Sequence, residues 1–377
     1  MQQKPMDQLL AHGVSNGASD IHFKVGDRPA YRIDGVLRGV KHDVLTSADT
    51  RRIAERLVEG DELDLDAIQE HDTSYSVEGV ARFRVNIYRQ RGSLCCILRI
   101  IPREIPTLES LGLPPRIGQL ADEERGLLLV TGATGSGKSS TLAALIDRIN
   151  RARAAHILTI EDPIEFLYSN QKSSISQREV GSDTRNFTQA LRAALRQDPD
   201  VILVGEMRDA ETIDIALKAA ETGHLVLSTV HTTDAAKTIG RLVGTFPAEE
   251  QHAVRVRLAD NLRGVVSQRL LPRRDQKGRV VAAEVMVATK TVQEYLKDMA
   301  KSGALKDVIE QGMDQYGMQS FDQHLTLLLR SGAISMEVAK SAASNPADFE
   351  RALKFGDAAV GVESEDDALE LDLVHEA

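Results

Sequence analysis

The middle of the chain alternates between continuous apolar runs and stretches with apolar residues at helical spacing. Four apolar runs follow one another after residue 125, and they read GLLLVTG, HILTIED, VILVGE and HLVLSTVH. Between them, helices are predicted from Lys138 to about Ile149, from Thr184 to Arg196 and from Asp209 onwards. Runs of Val, Ile and Leu without alternation are typical of strands that are covered on both faces. This pattern predicts an α/β fold with a mainly parallel sheet.

In the first hundred residues, apolar and polar side chains alternate over short runs, as they do in half-buried strands. The segments ASDIHFKVGDRPAYRIDGVL and VARFRVNIYRQRGSLCCILRII contain short alternating runs around Gly-Asp, Asp-Gly and Gly-Ser turns, which is typical of β-hairpins. Between them, Ile53, Leu57 and Val58 occur at helical spacing. These features predict a small α+β domain over residues 1–103.

A proline-rich stretch follows this first domain. Prolines block regular elements, and four of them stand close together here: Pro102, Pro106, Pro114 and Pro115. We therefore predict a linker over residues 104–123 and a second domain over residues 124–355. Within the second domain, further helices are expected from about Ala248 to Ser267 and from Phe321 to Ala343.

Acidic residues are concentrated at the end of the chain. Residues 356–377 carry eight acidic residues and no Lys or Arg, and they lack periodicity, so this tail is expected to be disordered. Without these eight charges, the net charge of −10 becomes −2 for residues 1–355. A nearly neutral body with 4% aromatic residues and no Trp is poorly suited to phosphate contacts and base stacking, so we expect no nucleic-acid partner.

Other classes of protein are disfavoured by what the sequence lacks. No apolar run approaches the roughly 18 residues of a membrane span, and the first twenty residues contain no signal-peptide core. The two cysteines, Cys95 and Cys96, are adjacent, so they form neither a zinc site nor a disulfide framework. The sequence therefore predicts a cytosolic protein.

One glycine-rich segment matches a phosphate-binding loop in full. Residues 132–139 fit the pattern G-x-x-x-x-G-K-[ST] and lie between a predicted strand and a predicted helix. In such a loop, backbone N–H groups converge on phosphate oxygens, the lysine reaches the β- and γ-phosphates, and the following hydroxyl ligates Mg²⁺. We therefore predict a site for ATP and Mg²⁺, with Ser139 as a metal ligand. The predicted nucleotide-binding residues are Gly132, Ala133, Thr134, Gly135, Ser136, Gly137, Lys138, Ser139 and Ser140.

Two carboxylates stand at the ends of successive predicted strands. Glu206 ends the run VILVGE, where many P-loop enzymes carry an aspartate one residue earlier, at the place of Gly205. We predict that Glu206 polarises water or holds the metal. Glu161 ends HILTIED and is a candidate general base, provided that its strand neighbours the P-loop strand. The sequence does not separate the two as general base, and either could instead be a solvated or ion-paired carboxylate.

Two histidines bracket the fourth apolar run. His231 stands at the predicted carboxyl end of the strand, where it could hydrogen-bond the γ-phosphate. A role for His224, at the other end, is less favoured. A single histidine is more often a packed or surface residue than a catalyst.

Several motifs together resemble those of secretion ATPases. The segments GATGSGKSS, TIEDPIEF, QDPDVILVGEMRD and AETGHLVLSTVHTTDAAKTIGR are similar, in order and spacing, to the Walker A, Asp-box, Walker B and His-box motifs. The segments ASDIHF, ARFRVN, QREVGSDT and GMQSFDQHL narrow the resemblance to the PilT/PilU type, the retraction motors of type IV pili. The resemblance spans about residues 5–355.

This resemblance implies an architecture, an activity and a setting. It implies a PAS-like N-terminal domain followed by a RecA-like ATPase domain, in a homo-hexameric ring that hydrolyses Mg-ATP and powers pilus retraction. It further implies an inner-membrane platform protein as partner, with a second retraction ATPase as a further candidate, and a place at the inner face of the cytoplasmic membrane. Arg84 and Arg99 match the paired arginines that complete such a site at the γ-phosphate. The nearby Arg82, Arg89 and Arg91 are expected on a solvated face.

One segment departs from the family pattern. PilT members usually carry an arginine-containing A-I-R-x-L-I-R-like motif that is linked to retraction, whereas Thr289–Asp298 reads TKTVQEYLKD. This leaves open whether the chain is a primary or an auxiliary, PilU-like, retraction motor.

Two other functions remain as alternatives. A pilus-extension or type II secretion ATPase would usually add a further N-terminal domain and a tetracysteine zinc module, and neither is expected here. A nucleic-acid translocase would draw support from a set of arginines whose spacing is largely that of a helix face, for which subunit contacts or salt bridges are the simpler explanation: Arg255, Arg257, Arg263, Arg269, Arg273 and Arg274.

Overall fold

The computed structural model describes residues 5–59, 63–102, 104–275 and 277–360. The strands within this part of the chain form two sheets. They are β1 Asp20–Phe23, β2 Ala30–Ile33, β3 Val36–Gly39, β4 Glu70–Val77, β5 Ala81–Gln90, β6 Ser93–Ile100, β7 Gly126–Thr131, β8 His156–Glu161, β9 Ser174–Glu179, β10 Val201–Val204, β11 Leu225–Val230, β12 Leu262–Pro272 and β13 Arg279–Val287.

Helices cover both sheets and form the end of the described chain. They are α1 Pro5–Ser15, α2 Ser47–Leu57, α3 Pro115–Leu120, α4 Lys138–Ala152, α5 Phe187–Ala194, α6 Ala210–Glu221, α7 Ala235–Gly244, α8 Gln251–Asn261, α9 Lys290–Lys297, α10 Leu305–Gln311, α11 Met313–Tyr316, α12 Phe321–Arg330, α13 Met336–Ala342 and α14 Pro346–Val360, with a 3₁₀ helix at Met299–Ala304. Among the described residues, none of these helices combines the length and the apolar character that a membrane span requires.

The first sheet is antiparallel, with strand order β3-β2-β1-β6-β5-β4. Alternation along β5 buries Phe83, Val85 and Ile87 on one face, because successive side chains of a strand point to opposite sides. This face packs with Leu10 of α1 and Leu57 of α2 in one apolar cluster. We call β1–β6 with α1 and α2 the N-terminal lobe.

The second sheet has strand order β13-β12-β7-β11-β10-β8-β9. Its pairs are parallel except for β12 with β13. Strands β7, β10 and β11 are buried along their whole length, which explains their continuous apolar sequence. The predicted α/β fold with a mainly parallel second sheet is confirmed. We call β7–β13 and the helices from α3 onwards the C-terminal lobe.

The helical prediction from about Ala248 to Ser267 is wrong in its second half. Helix α8 ends at Asn261, and β12 begins at the next residue, Leu262. The apolar residues there are buried because β12 pairs with β7 on one side and β13 on the other. β7 is distant in sequence, so local spacing does not reveal this pairing. The arginines from 255 to 274 consequently do not share one helix face, since Arg263 and Arg269 lie on a strand.

The predicted linker over residues 104–123 contains the short helix α3. Pro114 precedes this helix and Pro115 is its first residue, a position where the fixed φ of proline suits a helix and its missing N–H costs nothing. Ile117 and Leu120 are buried in the core of the second sheet. These prolines therefore begin a helix instead of preventing one. The division into residues 1–103 and 124–355 stays a prediction.

The expectation of disorder from residue 356 is wrong for residues 356–360. They continue α14, which spans Pro346–Val360. Of these five residues, Ala358 and Ala359 favour a helix by their intrinsic propensity. Residues 361–377 lie outside the described part of the chain.

Two glycines give a matched test of packing at β12. A Cβ atom at Gly264 would lie 2.8 Å from Leu120 Cδ1 and 2.9 Å from the Met286 carbonyl oxygen, whereas one at Gly240 in α7 would meet nothing within 4 Å. We expect Gly264→Ala to lower the free energy of unfolding by about 1–3 kcal/mol through overpacking. Gly240→Ala should raise it by about 0.5–1 kcal/mol, because alanine favours helices. Urea unfolding measures both, and equal effects would contradict the close packing at β12.

Candidate active site

The register of the second sheet brings the predicted residues to one edge. Val204 at the end of β10 is level with Ile160 on β8 and with Ser228 on β11, and Val230 on β11 is level with Thr131 on β7. Since these strands are parallel, the residues that follow them leave the sheet on the same side. Ligands of parallel sheets gather at this carboxyl edge.

A cavity of about 440 Å³ opens at this edge. The predicted residues that line it are Thr134, Gly135, Gly137, Lys138, Ser139, Ser140, Glu161, Glu206 and His231. Four different segments of the chain therefore meet at one site. His224 lies at the opposite end of β11, where its Nδ1 is 2.9 Å from the Ala219 carbonyl oxygen.

The phosphate-binding loop has a backbone that glycine permits. Gly132 has a φ of 146°, and Gly137, which caps the N-terminus of α4, has a φ of 92°. A Cβ atom at Gly132 would lie 2.4 Å from Ser136 Oγ and 2.5 Å from the Gln268 carbonyl oxygen. Both the torsion angle and the lack of space therefore require glycine at this position.

Lys138 is buried at the first residue of α4. Its Nζ donates to the carbonyl oxygens of Gly132 and Ala133, both at 3.0 Å. Burial lowers the pKa of Lys138, and the charges of Glu206 and Glu165 act in the opposite direction. The ammonium therefore lies in a pocket where an anion would be stabilised. Ser136 Oγ is buried in the same loop without a hydrogen-bond partner.

Glu206 is held between two cationic or polar side chains. Its Oε2 is 2.7 Å from an Arg208 nitrogen, and its Oε1 is 3.3 Å from His231 Nε2. Burial alone would raise the pKa of Glu206, but hydrogen bonds and charge from Arg208 and His231 outweigh burial and lower it. Glu206 is therefore ionised at neutral pH. Arg208 is a site residue that the sequence analysis missed, although it stands two residues after Glu206.

A side chain at the place of Gly205 would be in tight contact with its neighbours. A Cβ atom there would lie 3.2 Å from the Ile160 carbonyl oxygen and 3.4 Å from the Phe187 ring. The carbonyl oxygen of Gly205 accepts from Thr229 Oγ1 at 2.7 Å. This crowded turn leaves the next residue, Glu206, as the carboxylate that reaches the cavity.

Glu161 occupies a more buried environment than Glu206. Its Oε1 accepts from Thr159 Oγ1 at 2.7 Å and from Gln177 Nε2 at 3.2 Å. Burial raises the pKa of Glu161, because these hydrogen bonds only partly offset the loss of water.

The sequence analysis made a catalytic role for Glu161 conditional on its strand lying beside the P-loop strand. This condition is not met, yet Glu161 lines the cavity. Strand β8 does not neighbour the P-loop strand β7, because β11 and β10 lie between them. The cavity spans all four strand ends, so adjacency of the strands is not required.

Arg84 and Arg99 face each other across β5 and β6, where they form a directly opposed pair. Arg99 Nε donates to Asp20 Oδ1 at 2.9 Å. Neither arginine lines the cavity at the phosphate-binding loop. Arg84 lines a second cleft, of about 500 Å³, which shares Asp162 and Pro163 with that cavity.

Two of the three arginines that were expected on a solvated face make hydrogen bonds or ion pairs with other parts of the protein. Arg89 donates to backbone carbonyl oxygens of Ile68 and Leu65, and Arg82 lies 3.4 Å from Glu179 of the C-terminal lobe. The expectation is wrong for both, because their partners come from segments that are distant in sequence. Arg91 is exposed, as expected.

Comparisons with known proteins agree with this geometry. The sequence model of the type II/IV secretion system protein family matches residues 2–327. The chain belongs to this family. The type IV pilus retraction ATPase PilT of Pseudomonas aeruginosa is 45% identical over 343 residues, which cover 91% of this chain and 99% of that protein. The type IV pilus ATPase PilU of the same organism is 37% identical and covers 93% of this chain and 91% of its own length.

A solved structure supports the same assignment. The crystal structure of the pilus retraction motor PilT with bound ADP superposes with a TM-score of 0.84 at 44% identity, and it covers 93% of this chain and 100% of that chain. The predicted resemblance to PilT/PilU-type secretion ATPases is thereby confirmed.

The raised pKa of Glu161 leads to a test of stability against pH. In Glu161→Gln, the remaining side-chain oxygen can keep both hydrogen bonds at Oε1, and the buried charge is removed. We expect this variant to be more stable than the wild type at pH 8. The advantage should vanish as the pH falls through the raised pKa of Glu161, since the wild-type carboxyl is then neutral too.

Thermal unfolding between pH 5 and pH 8 measures this difference. Glu249→Gln, which neutralises an exposed carboxylate outside the cavity, is the control and should show no comparable trend. A stability advantage of Glu161→Gln that grows towards low pH would contradict the burial argument.

Proposed function

We propose that this chain is an ATPase motor that powers the retraction of type IV pili, and with it twitching motility. One observation carries the proposal: a phosphate-binding loop and two strand-end carboxylates line one cavity, in a chain that is similar to PilT over 99% of the length of that protein. Because the similarity includes both lobes, it supports the function of the whole motor as well as nucleotide binding.

The loop over residues 132–140 would hold the phosphates of ATP. Phosphate oxygens could take the place of the two loop carbonyls that Lys138 now contacts, and the N-terminus of α4 favours an anion at the same point. The unpartnered Ser136 hydroxyl also suits a bound triphosphate. A nucleotide site needs a cation and free polar groups of this kind at the phosphates.

Ser139 and Glu206 would hold Mg²⁺. Both line the cavity, and both offer the oxygen ligands that this cation prefers. Mg²⁺ usually keeps several waters and takes only one or two protein ligands beside the phosphates. When bound, the ion would neutralise charge on the transferred phosphoryl group.

The two carboxylates suit different tasks. Glu206 is ionised and paired with Arg208 and His231, which suits contact with a cation or its water. Glu161 has a raised pKa, so it is the better proton acceptor at neutral pH. We therefore assign the general base to Glu161 and the metal contact to Glu206. His231, beside Glu206, would sense the γ-phosphate.

Arg84 and Arg99 would complete the site at the γ-phosphate only after movement. They lie on the N-terminal lobe outside the cavity. Closure of the two lobes, or a neighbouring subunit, would have to bring them to the nucleotide. This fits a homo-hexameric ring in which hydrolysis changes the lobe angle. The ring would act on a platform protein at the inner face of the cytoplasmic membrane.

Two variants test the chemistry in purified protein. Lys138→Ala should lose binding of ATP and ADP, because the buried ammonium that faces the phosphates is gone. Glu161→Gln should still bind nucleotide but lose about 100-fold or more in kcat, because the proton acceptor is removed. Fluorescent-nucleotide binding and phosphate release measure the two effects. Wild-type protein that neither binds nor cleaves ATP with Mg²⁺ would overturn the proposed activity.

A deletion strain tests the mechanical role. We expect it to carry excess pili that do not shorten, and Lys138→Ala should not restore retraction. A second candidate is an auxiliary, PilU-like motor, which the missing arginine in Thr289–Asp298 favours. Unchanged retraction in the deletion strain would support that candidate, and a strain without any pili would point to an extension ATPase.

A further inference from the structure

The two lobes touch through an ion pair that the proposed chemistry does not use. Arg82 of β5 places its guanidinium 3.4 Å from Glu179 Oε2, at the end of β9. The side chains are 21% and 5% exposed, respectively. A carboxylate this buried is costly unless it is paired, so the contact strongly favours the observed placement of the lobes.

Clefts flank this contact on both sides. One cleft, of about 500 Å³, contains Arg84 and Asp162, and the other, of about 420 Å³, contains Tyr75 and Asp183. Within the described residues, no helix or strand of the N-terminal lobe packs along an element of the second sheet. A rotation of the lobes about the Arg82–Glu179 contact would therefore break no extended packing between a helix or strand of one lobe and the sheet of the other.

Arg82 is held in place from its own lobe. It donates to Ser74 Oγ at 2.6 Å and to Ser76 Oγ at 3.5 Å, both on β4. β4 and β5 are paired along their length, so any movement of the N-terminal lobe carries the guanidinium with it.

On the other side, Glu179 is bonded to the loop that follows Glu161. Its Oε2 also accepts from the Ile164 backbone N–H at 3.0 Å. The next residue, Val180, donates its N–H to the Glu161 carbonyl oxygen at 2.8 Å. One carboxylate oxygen therefore connects the N-terminal lobe to the segment that carries the assigned general base.

We propose that the Arg82–Glu179 pair is the pivot between the lobes, and that Arg82 is a positioning residue for ATP hydrolysis. This inference rests on the proposed function. When the lobe angle changes, Arg82 pulls on or releases Glu179, and Glu179 in turn holds or frees Ile164 and the Glu161 segment. The pair thus transmits the position of the N-terminal lobe to the proton acceptor.

Kinetics of matched variants test this coupling. In Arg82→Ala we expect kcat to fall about threefold to tenfold while KM for ATP changes less than about twofold, because the nucleotide site keeps its own contacts. Glu179→Gln should have a similar effect, and the double variant should be no worse than the more impaired single variant. Arg82→Lys should recover part of kcat. Arg51→Ala, which removes a surface ion pair with Asp66 inside the N-terminal lobe, should leave kcat unchanged.

Hydrogen exchange gives a readout that does not depend on activity. Without nucleotide, Arg82→Ala should speed exchange of the amides in residues 162–166, where Ile164 N–H is bonded to Glu179, by at least about threefold. Arg51→Ala should not change it.

The outcomes separate the two proposals. Wild-type protein without ATPase activity overturns the proposed function, while exchange still reports on the pivot. The proposed pivot would be overturned if the amides of residues 162–166 exchange in Arg82→Ala at the same rate as in the wild type. It would also be overturned if the losses in kcat of the two single variants add up in the double variant. If Arg82→Ala does not fold, Glu179→Gln decides by the same two measurements.

Discussion

A buried ammonium in a loop of glycines is the feature on which the rest of the site depends. Lys138 is withdrawn from water and satisfied by two carbonyl oxygens, and burial lowers its pKa. The loop can pass this close to Ser136 and β12 only because residue 132 has no side chain. A phosphate bound in this pocket would have a cationic partner that is already in place. Glu161, Glu206 and His231 line the same cavity as this lysine.

Two carboxylates of the same edge differ because their surroundings differ. Glu161 is enclosed and bonded to neutral donors, so its pKa is raised. Glu206 has a guanidinium and an imidazole beside it, so its pKa is lowered. Opposite shifts in one cavity are a common sign that a site divides acid–base and electrostatic tasks between its groups. In this chain, Glu161 ends β8 and Glu206 follows β10, so different side chains surround the two carboxylates.

The architecture also explains how a local chemical event could become movement. The lobes are separated by open clefts and joined at Arg82–Glu179, the pair about which we propose that they rotate. Loss of a γ-phosphate alters contacts only within a few ångströms. Amplification requires a link from that point to a lobe, and the bond from Glu179 to Ile164 is such a link. The opposed pair Arg84 and Arg99 stands on the lobe that would move.

The sequence by itself determined the parts that local chemistry defines. The P-loop, the strand-end positions of Glu161 and Glu206 and the α/β class could be predicted, because apolar runs, glycines and a lysine at fixed spacing carry that information. Only the tertiary structure decided which residues meet. The first part of strand β12 was predicted as helix and Arg82 was placed in solvent, because their partners β7 and Glu179 are remote in sequence. Arg208 was missed although Glu206 is only two residues away, because the fold decides that its side chain turns towards that carboxylate. Burial, ion pairing and pKa shifts depend on distances between segments remote in sequence, and those distances exist only once the chain has folded.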